Sequence, residues 1–238
     1  MWAVVMLVSV VWAGAAQAVT CENDTFEGIR MTRCDVDVMA EDLRLFHSDD
    51  EGRVLGGFGQ VADYAGSLSF AMNAGMYHDD RSPVGLFQID GVEISALVTS
   101  DGPGNFGLLP NGVFCLNDRS ARIFESRDFA EQAPSCRDAD QSGPMLVIDG
   151  ALHPRFVADS DSINIRNGVG TSADGSRATF VISSDPVNFH TFARYFRDVV
   201  AVPDALYLDG SVSRLFAPEL GRDDIGFQLG PIVGVVSP

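Results

Sequence analysis

The stretch VGLFQIDGVEISAL, residues 84–97, indicates which fold class this chain adopts. Two runs rich in apolar and β-branched residues flank the pair Asp90-Gly91. Such a pair favours a two-residue turn between antiparallel strands, because both turn positions adopt positive φ. The stretch therefore predicts a β-hairpin. A second pair, Asp149-Gly150, predicts another hairpin further along the chain.

Helical patterns are few outside these strand-like runs. Residues 187–200 carry aromatic and apolar residues at three- and four-residue spacing, which predicts one amphipathic helix. Ser184 or Asp185 is the predicted cap of that helix, and a shorter helix is predicted at 58–64. We therefore predict an α+β fold, with a single β-rich domain that has a mixed sheet and few flanking helices.

The charge balance excludes one class of partner. The chain of 238 residues has 33 acidic residues against 16 arginines, and its formal net charge is −17. A nucleic-acid-binding protein needs a basic surface, so we expect no nucleic acid partner. Anionic membrane surfaces would also repel the chain. An anionic substrate would need a local arginine site that acts against the overall charge.

Residues 1–18 have the composition of a signal peptide. They contain no charged side chain and end in Ala-Gln-Ala, the small-x-small pattern of a signal peptidase site. We predict that the mature chain begins near Val19 and is exported, to the periplasm or the medium. The alternative is a short membrane anchor, but the apolar run is shorter than the ~20 residues that span a bilayer. We therefore expect no stable membrane anchor, and the sequence leaves the oligomeric state open.

Four cysteines remain in the predicted mature chain, and an even number in an exported protein indicates disulfides. Three pairings are possible. We favour Cys21–Cys34 with Cys115–Cys136, because each pair closes a short loop. No C-x-x-C motif occurs, so a redox or zinc site built on these cysteines is not expected.

Several predicted strands end in a polar residue that is followed by glycine or another small residue. Glycine allows the backbone to approach a ligand closely, and loops at strand ends often converge to build binding sites. The same residues also occur in ordinary turns. The strand-end stretches are Asn73-Ala74-Gly75, Ser142-Gly143, Arg166-Asn167-Gly168 and Asp209-Gly210.

Seven motifs in this chain occur in the order found in one known family. They are NAGMYHDDRSPVGLF (73–87), GNF (104–106), PNGVF (110–114), QSGPM (141–145), IRNGVG (165–170), PVNF (186–189) and YLDG (207–210). On these motifs the chain resembles the phosphodiester glycosidase family, closest to its bacterial, exopolysaccharide-related branch. The family usually has glycine at the position of Ser211. The resemblance implies a phosphodiester glycosidase domain at 65–238, preceded by an N-terminal part at 19–64.

The resemblance implies cleavage of the glycosidic bond between a sugar and a phosphate. Arg166 is the candidate for holding the phosphodiester, because a guanidinium is a planar, two-pronged donor. Asp209 is the candidate base or nucleophile at the anomeric carbon. His78 and Asp80 are a candidate pair. The residues expected to bind the substrate are Asn73, Gly75, His78, Asp80, Asn111, Ser142, Gly143, Asn167 and Gly210.

The expected ligand is a sugar phosphodiester or an anionic polysaccharide, with no cofactor and no metal. The stretch 138–149 resembles an EF-hand calcium loop, but its second half is strand-like and no flanking helices fit. Two purely structural alternatives stay open: Arg166 forms a surface salt bridge, and Asp209 caps backbone amides in a turn. For the whole chain, the alternatives are a noncatalytic carbohydrate-binding or polymer-assembly protein, and a glycosidase acting on neutral sugars.

Overall fold

The computed structural model describes residues 19–237, so the predicted signal peptide lies outside the described residues. Three sheets form the body of the molecule, and every strand pair within them is antiparallel. The β-rich α+β class predicted from the sequence is confirmed, whereas the sheet pairing predicted as mixed is antiparallel throughout the described chain.

The seven strands of sheet A, in spatial order, are β1 (Val19–Phe26), β2 (Ile29–Asp37), β13 (Arg177–Ser183), β12 (Asn167–Thr171), β14 (Asp204–Tyr207), β10 (Met145–Ile148) and β11 (Ala151–Leu152). The five strands of sheet B are β16 (Arg222–Asp223), β15 (Leu215–Ala217), β4 (Leu68–Asn73), β17 (Ile232–Val236) and β3 (Asp42–Phe46). The five strands of sheet C are β6 (Val92–Ser95), β5 (Phe87–Ile89), β9 (Asp138–Ser142), β7 (Gly112–Asn117) and β8 (Ser120–Glu125).

Both predicted Asp-Gly hairpins are confirmed, whereas residues 106–109, which the sequence predicts as a strand before the Pro110-Asn111-Gly112 turn, form no strand. Asp90 and Gly91 adopt φ of 50° and 77° between β5 and β6. Asp149 and Gly150 adopt φ of 47° and 78° between β10 and β11. These are the positive angles that the Asp-Gly pair was expected to supply.

The helices cover outer faces of the sheets. They are α1 (Phe58–Ala65), α2 (Ser126–Gln132) and α3 (Phe189–Arg194), which continues as a π-helix over Tyr195–Val200. The predicted cap of α3 is wrong: Asn188 caps it, and its Oδ1 accepts a hydrogen bond from the Thr191 amide at 2.8 Å. The helix starts later than predicted because Val187 pairs with Asn164 in an isolated bridge. No helix in residues 19–237 is long and apolar enough to cross a membrane.

The main core lies between the three sheets. Phe70 of sheet B, Phe180 of sheet A and Phe114 of sheet C are fully buried and meet there. The ring centroids of Phe70 and Phe180 are 4.8 Å apart, and those of Phe114 and Phe180 are 6.0 Å apart. Burying such side chains contributes roughly 1.5–3 kcal/mol each, so the aromatic contacts fasten the sheets to one another.

The structure contains the two disulfides that the sequence favoured. Cys21 and Cys34 occupy directly opposite positions of β1 and β2 and form one bond. Cys115 on β7 bonds to Cys136, just before β9. The N-terminal part of the chain is therefore tied into the sheets, since β2 also pairs with β13, and β3 pairs with β17.

Candidate functional site

The candidate site is built around the segment Tyr207–Gly210, at the end of β14. The Tyr207 amide donates to the Pro144 carbonyl at 3.1 Å, and the Leu208 amide donates to the Asn167 carbonyl at 3.1 Å. The end of β14 thus lies between the Gly143-Pro144 turn and the start of β12. Strand ends from all three sheets meet this segment, through β4, β9 and β12.

Two buried asparagines hold the backbone of Asp209 from both sides. Asn73 Nδ2 donates to the Asp209 carbonyl at 2.9 Å, and Asn167 Oδ1 accepts from the Asp209 amide at 3.1 Å. Asn167 Nδ2 also donates to Asn73 Oδ1 at 2.8 Å, so the two amides form one unit. Both side chains are almost completely buried. Their visible role is to fix Asp209, and their contact with substrate stays a prediction.

The turn after β9 supports the same segment. Ser142 Oγ donates to the Leu208 carbonyl at 2.9 Å. Gly143 packs so tightly against Asn111 that a Cβ at position 143 would lie 2.5 Å from the Asn111 Cβ. Asn111 donates to the Phe106 carbonyl at 2.9 Å, but its buried Oδ1 has no partner among the described residues. The sequence-predicted residues Ser142, Gly143 and Asn111 therefore lie together.

The guanidinium of Arg166 is buried without a carboxylate. The residue is only 1% exposed, so the alternative of a surface salt bridge is wrong. Nε donates to the Val187 carbonyl at 2.8 Å, and Nη2 donates to the Ser162 carbonyl at 2.9 Å. The carbon Cζ stacks 3.5 Å from the ring centroid of Phe189. Burial lowers the pKa of Arg166, and Nη1 has no hydrogen-bond partner in the described chain.

Tyr207 connects this guanidinium to the Asp209 loop. Its ring centroid lies 5.6 Å from Arg166 Cζ, and its hydroxyl accepts the Gly210 amide hydrogen at 2.7 Å. A Cβ at position 210 would lie 2.2 Å from the hydroxyl, which explains the glycine. Burial raises the pKa of Tyr207; the charge of Arg166 lowers it, and the charge of Asp209 raises it. The three side chains are therefore electrostatic neighbours.

The Asp209 carboxylate is half-buried. Oδ1 accepts the Ser211 amide hydrogen at 3.0 Å, while Oδ2 makes no hydrogen bond within the described residues. Burial raises the pKa of Asp209, and the bond from the Ser211 amide lowers it. Asp209 thus caps one backbone amide, as the structural alternative predicts, and its Oδ2 is left for a ligand. The surface clefts near Asp49 and Asp174 share no residue with this site.

The match to a known family covers these residues. Residues 66–224 match the family model described as phosphodiester glycosidase. The chain belongs to the phosphodiester glycosidase family. Escherichia coli (strain K12) "Uncharacterized protein YigE" is 35% identical over 172 residues, which cover 72% of this chain and 66% of YigE. The chain thus spans slightly less than two thirds of that relative.

Two solved structures are similar to this phosphodiester glycosidase family member. The catalytic domain of zebrafish N-acetylglucosamine-1-phosphodiester alpha-N-acetylglucosaminidase, auto-inhibited by its pro-peptide, has a TM-score of 0.62 and 13% identity, covering 92% of this chain and 82% of that one. A hypothetical protein from Synechocystis has a TM-score of 0.63 and 11% identity, covering 92% of this chain and 62% of that one. These likenesses show a shared fold.

Two sequence-predicted residues of this family member lie on an exposed turn. His78 and Asp80 are both exposed, and they do not pair. Asp80 Oδ1 instead accepts from the Ser82 hydroxyl at 2.6 Å and the Ser82 amide at 3.0 Å. The predicted pairing is therefore wrong, and no bond in the structure ties either side chain to Asp209. Their role in substrate binding stays a prediction.

Gly75 points to an acidic residue that the sequence reasoning did not assign to the site. The Gly75 amide donates to Asp140 Oδ2 at 2.7 Å, and a Cβ at position 75 would lie 2.5 Å from Asp140 Oδ1. Asp140 is 1% exposed. Burial raises its pKa to about 7, partly offset by the Gly75 amide. The available signal was strand alternation, which places Asp140 and Ser142 on one face of β9.

No group of three or more potential ligands is placed to hold a metal ion within residues 19–237. In the calcium-like stretch, the Asp138 carboxylate is occupied by protein donors, including Arg137 at 2.9 Å and the Asp90 amide at 3.0 Å.

Tyr77, Tyr207 and Arg214 also border the site and were missed. Tyr77 and Tyr207 lie inside the quoted motifs, so the motifs were the signal that could have found them.

Proposed function

We propose that this protein hydrolyses the bond between the anomeric carbon of a sugar and a phosphodiester. In this reaction the bond from the anomeric carbon to the phosphate oxygen breaks, and a bond to a water oxygen forms. The products are a free sugar and a phosphomonoester, with the second water proton released to the solvent. Family membership and the shared fold support this reaction class.

One observation carries the proposal: the buried Arg166 guanidinium that has no carboxylate partner and a free Nη1. Leaving a buried charge uncompensated is costly, so this position favours an anionic ligand. Nη1 is itself buried, so neighbouring residues would have to move for it to donate to a phosphate oxygen. The stacking on Phe189 orients the guanidinium. Phosphate would thereby be held next to the Tyr207–Gly210 segment.

Asp209 would act at the anomeric carbon through its free oxygen. The backbone of Asp209 is held by Asn73 and Asn167, so the carboxylate is placed with little freedom. A carboxyl whose pKa is raised by burial is a better proton acceptor near neutral pH than an ordinary one. The role is that of a base that activates water or of a nucleophile that forms a glycosyl intermediate.

We further propose that the protein is exported and acts on an exopolysaccharide or an envelope polymer. The apolar segment at 1–18 and the two disulfides support export. The relative YigE is a bacterial protein, which agrees with a bacterial polymer as the target, but it gives no indication of the substrate.

Asp209→Asn tests the proposal. Purified protein is assayed for phosphomonoester release from α- and β-sugar-1-phosphodiesters, with matched neutral glycosides alongside. We expect cleavage of a phosphodiester, reduced about a hundredfold or more in the variant because the base or nucleophile is lost. Asp149→Asn removes the same charge from the distant β10–β11 turn and should keep the activity. Full activity of Asp209→Asn would refute its role, and saturable binding without cleavage would favour a noncatalytic binding protein.

A further inference from the structure

We propose that Arg81 and Arg214, which both lie near Tyr77, form a second anion-binding subsite beside Asp209, which takes a second negatively charged group of the substrate. The substrate would then be a segment of an anionic polysaccharide, with a carboxylate or phosphate next to the scissile sugar phosphate. This inference rests on the proposed function and names its substrate class.

Arg214 is fixed to the same framework as Asp209. Its backbone amide donates to Asn73 Oδ1 at 2.9 Å, the same asparagine that binds the Asp209 carbonyl. Its Nε donates to the Asp224 carbonyl at 2.8 Å and its Nη1 to the Phe227 carbonyl at 2.9 Å. The guanidinium therefore has a defined position and keeps Nη2 free of protein acceptors within the described chain.

Tyr77 and Arg81 reach the loop 226–229 from the other side. The Tyr77 hydroxyl donates to the Gln228 carbonyl at 3.1 Å. Arg81 and Gln228 both lie close to Gly56. A Cβ built on Gly56 would be 3.0 Å from Arg81 Nη1 and 3.6 Å from the Gln228 Cβ. The three side chains thus meet around one short loop.

The backbone of Arg81 is held in an unusual conformation. Its φ is 70°, a value that costs free energy for a residue other than glycine. The Arg81 amide donates to the His78 carbonyl at 2.7 Å, and His47 Nε2 donates to the Arg81 carbonyl at 2.9 Å. The buried His47 therefore helps to fix a conformation that places this guanidinium next to the loop.

Arg81 and Arg214 belong to the minority of arginines that form no salt bridge in residues 19–237. Nine of the 16 arginines lie within 4.0 Å of a carboxylate. Arg81 and Arg214 have no such partner anywhere in residues 19–237, although acidic residues outnumber arginines about two to one. Cations left unpaired next to a candidate site in so acidic a chain favour an anionic ligand.

Electrostatic coupling supports the position of the subsite. Burial raises the pKa of Tyr77, the charge of Asp209 raises it further, and Arg214 and Arg81 lower it. All three charges are therefore close enough to act on the same hydroxyl. A substrate anion between the two arginines would lie next to the Asp209 carboxylate and its sugar.

The test compares pairs of sugar-1-phosphodiesters. Within each pair, one substrate carries a uronate and the other carries the corresponding neutral hexose at the same position. In the first pair this residue is attached to the scissile sugar, and in the second pair to the alcohol side of the phosphate. We expect the wild-type protein to prefer the uronate at least about tenfold in kcat/KM in one pair, the scale of one charge-assisted hydrogen bond. Arg81→Gln should abolish that preference, whereas Arg119→Gln, which removes an exposed charge on the β7–β8 turn, should keep it.

Equilibrium binding separates this inference from the proposed function. Oligogalacturonate binding is measured by calorimetry in the Asp209→Asn background, with and without Arg81→Gln. We expect the second substitution to weaken binding about tenfold. Equal binding, or equal turnover of charged and neutral substrates by the wild type, would overturn the subsite. Failure to cleave any phosphodiester, with the binding difference intact, would reject the proposed reaction and keep the subsite.

Discussion

At the scale of single residues, Arg166 shows how a buried charge can be held by neutral groups alone. Two backbone carbonyls and the faces of Phe189 and Tyr207 surround the guanidinium. Phe189 in turn stacks on Phe156, with ring centroids 5.1 Å apart and planes 7° apart. A planar cation fits this stack, and an ammonium group does not.

Arg166→Lys should therefore lose function even though the charge is kept. We expect kcat/KM on a sugar-1-phosphodiester to fall about tenfold or more, because an ammonium group cannot keep the two carbonyl bonds and the stacking on Phe189 that position the cation. The unfolding free energy should fall by roughly 1–3 kcal/mol through the lost carbonyl bonds. Arg30→Lys, in an exposed salt bridge with Asp185, is the matched control and should change neither quantity measurably.

Asp140 should make stability depend on pH. Its pKa is raised from 3.8 to about 7 in the folded state by burial, so the folded protein keeps a proton that the unfolded chain loses. The stabilising contribution is complete below the unfolded pKa and is lost as the pH rises through about 7. The shift corresponds to a contribution on the order of 4 kcal/mol at most.

Denaturant unfolding of Asp140→Asn at about pH 5 and about pH 8 tests this. The variant cannot ionise, so its stability relative to the wild type should improve between the two pH values. The comparison uses the slope with pH, because the buried amide adds a pH-independent cost of roughly 1–3 kcal/mol. Parallel pH profiles for the two proteins would contradict the raised pKa.

At the scale of elements, the turn after β14 requires glycine at position 210, whereas position 211 should accept a substitution. In Gly210→Ala, the new Cβ would meet the Tyr207 hydroxyl and the Ile165 carbonyl, at 2.2 and 2.6 Å. We expect a loss of roughly 1–3 kcal/mol of stability and at least about tenfold in activity, since the bond from the Gly210 amide to Tyr207 is broken.

Ser211→Gly restores the residue usual in the family and should change activity by less than about twofold. Ser211 is exposed, and its bond to Asp209 uses only the backbone amide. Circular dichroism, thermal melting and phosphomonoester release compare the two variants. A large gain in activity from Ser211→Gly would show that the serine itself restricts the site.

The elements that the sequence predicted are those with local causes. The Asp-Gly hairpins form because their turn chemistry is contained in two residues. Helix α2 was missed, although Glu125 caps it by accepting the amides of Arg127 and Asp128. The start of α3 was misplaced because the Val187–Asn164 bridge joins it to a distant loop. Such tertiary contacts override local propensity.

The same reason separates the predicted site residues from the missed ones. Asn73, Ser142 and Asn167, all named from the sequence, do lie against the segment that contains Asp209, and their role in binding substrate stays a prediction. Asp140 and Arg214 were missed because their positions depend on contacts between distant segments. The Gly75 amide binds the Asp140 carboxylate, and the Phe227 carbonyl accepts from Arg214. Contacts between loops of different sheets leave no periodic pattern in a sequence.

At the scale of the whole molecule, the proposal requires an oxidising compartment. We predict that secreted or periplasmic material begins near Val19, because residues 1–18 carry no charged side chain and end in Ala-Gln-Ala, and because Cys21 forms a disulfide. N-terminal sequencing of recovered protein, with nonreducing peptide mapping of the Cys21–Cys34 link, checks this. Intact residues 1–18 on protein from a membrane pellet would contradict it.

The two tyrosines that border Asp209 give the processed protein an optical readout of its own site. Both tryptophans, Trp2 and Trp12, lie within the predicted signal peptide. Ultraviolet emission of the mature chain would then come mainly from its four tyrosines, since phenylalanine emits weakly. The Asp209 charge raises the pKa of two of them, Tyr77 and Tyr207. A ligand that enters this site should alter about half of the emitters, so occupancy can be followed without a label.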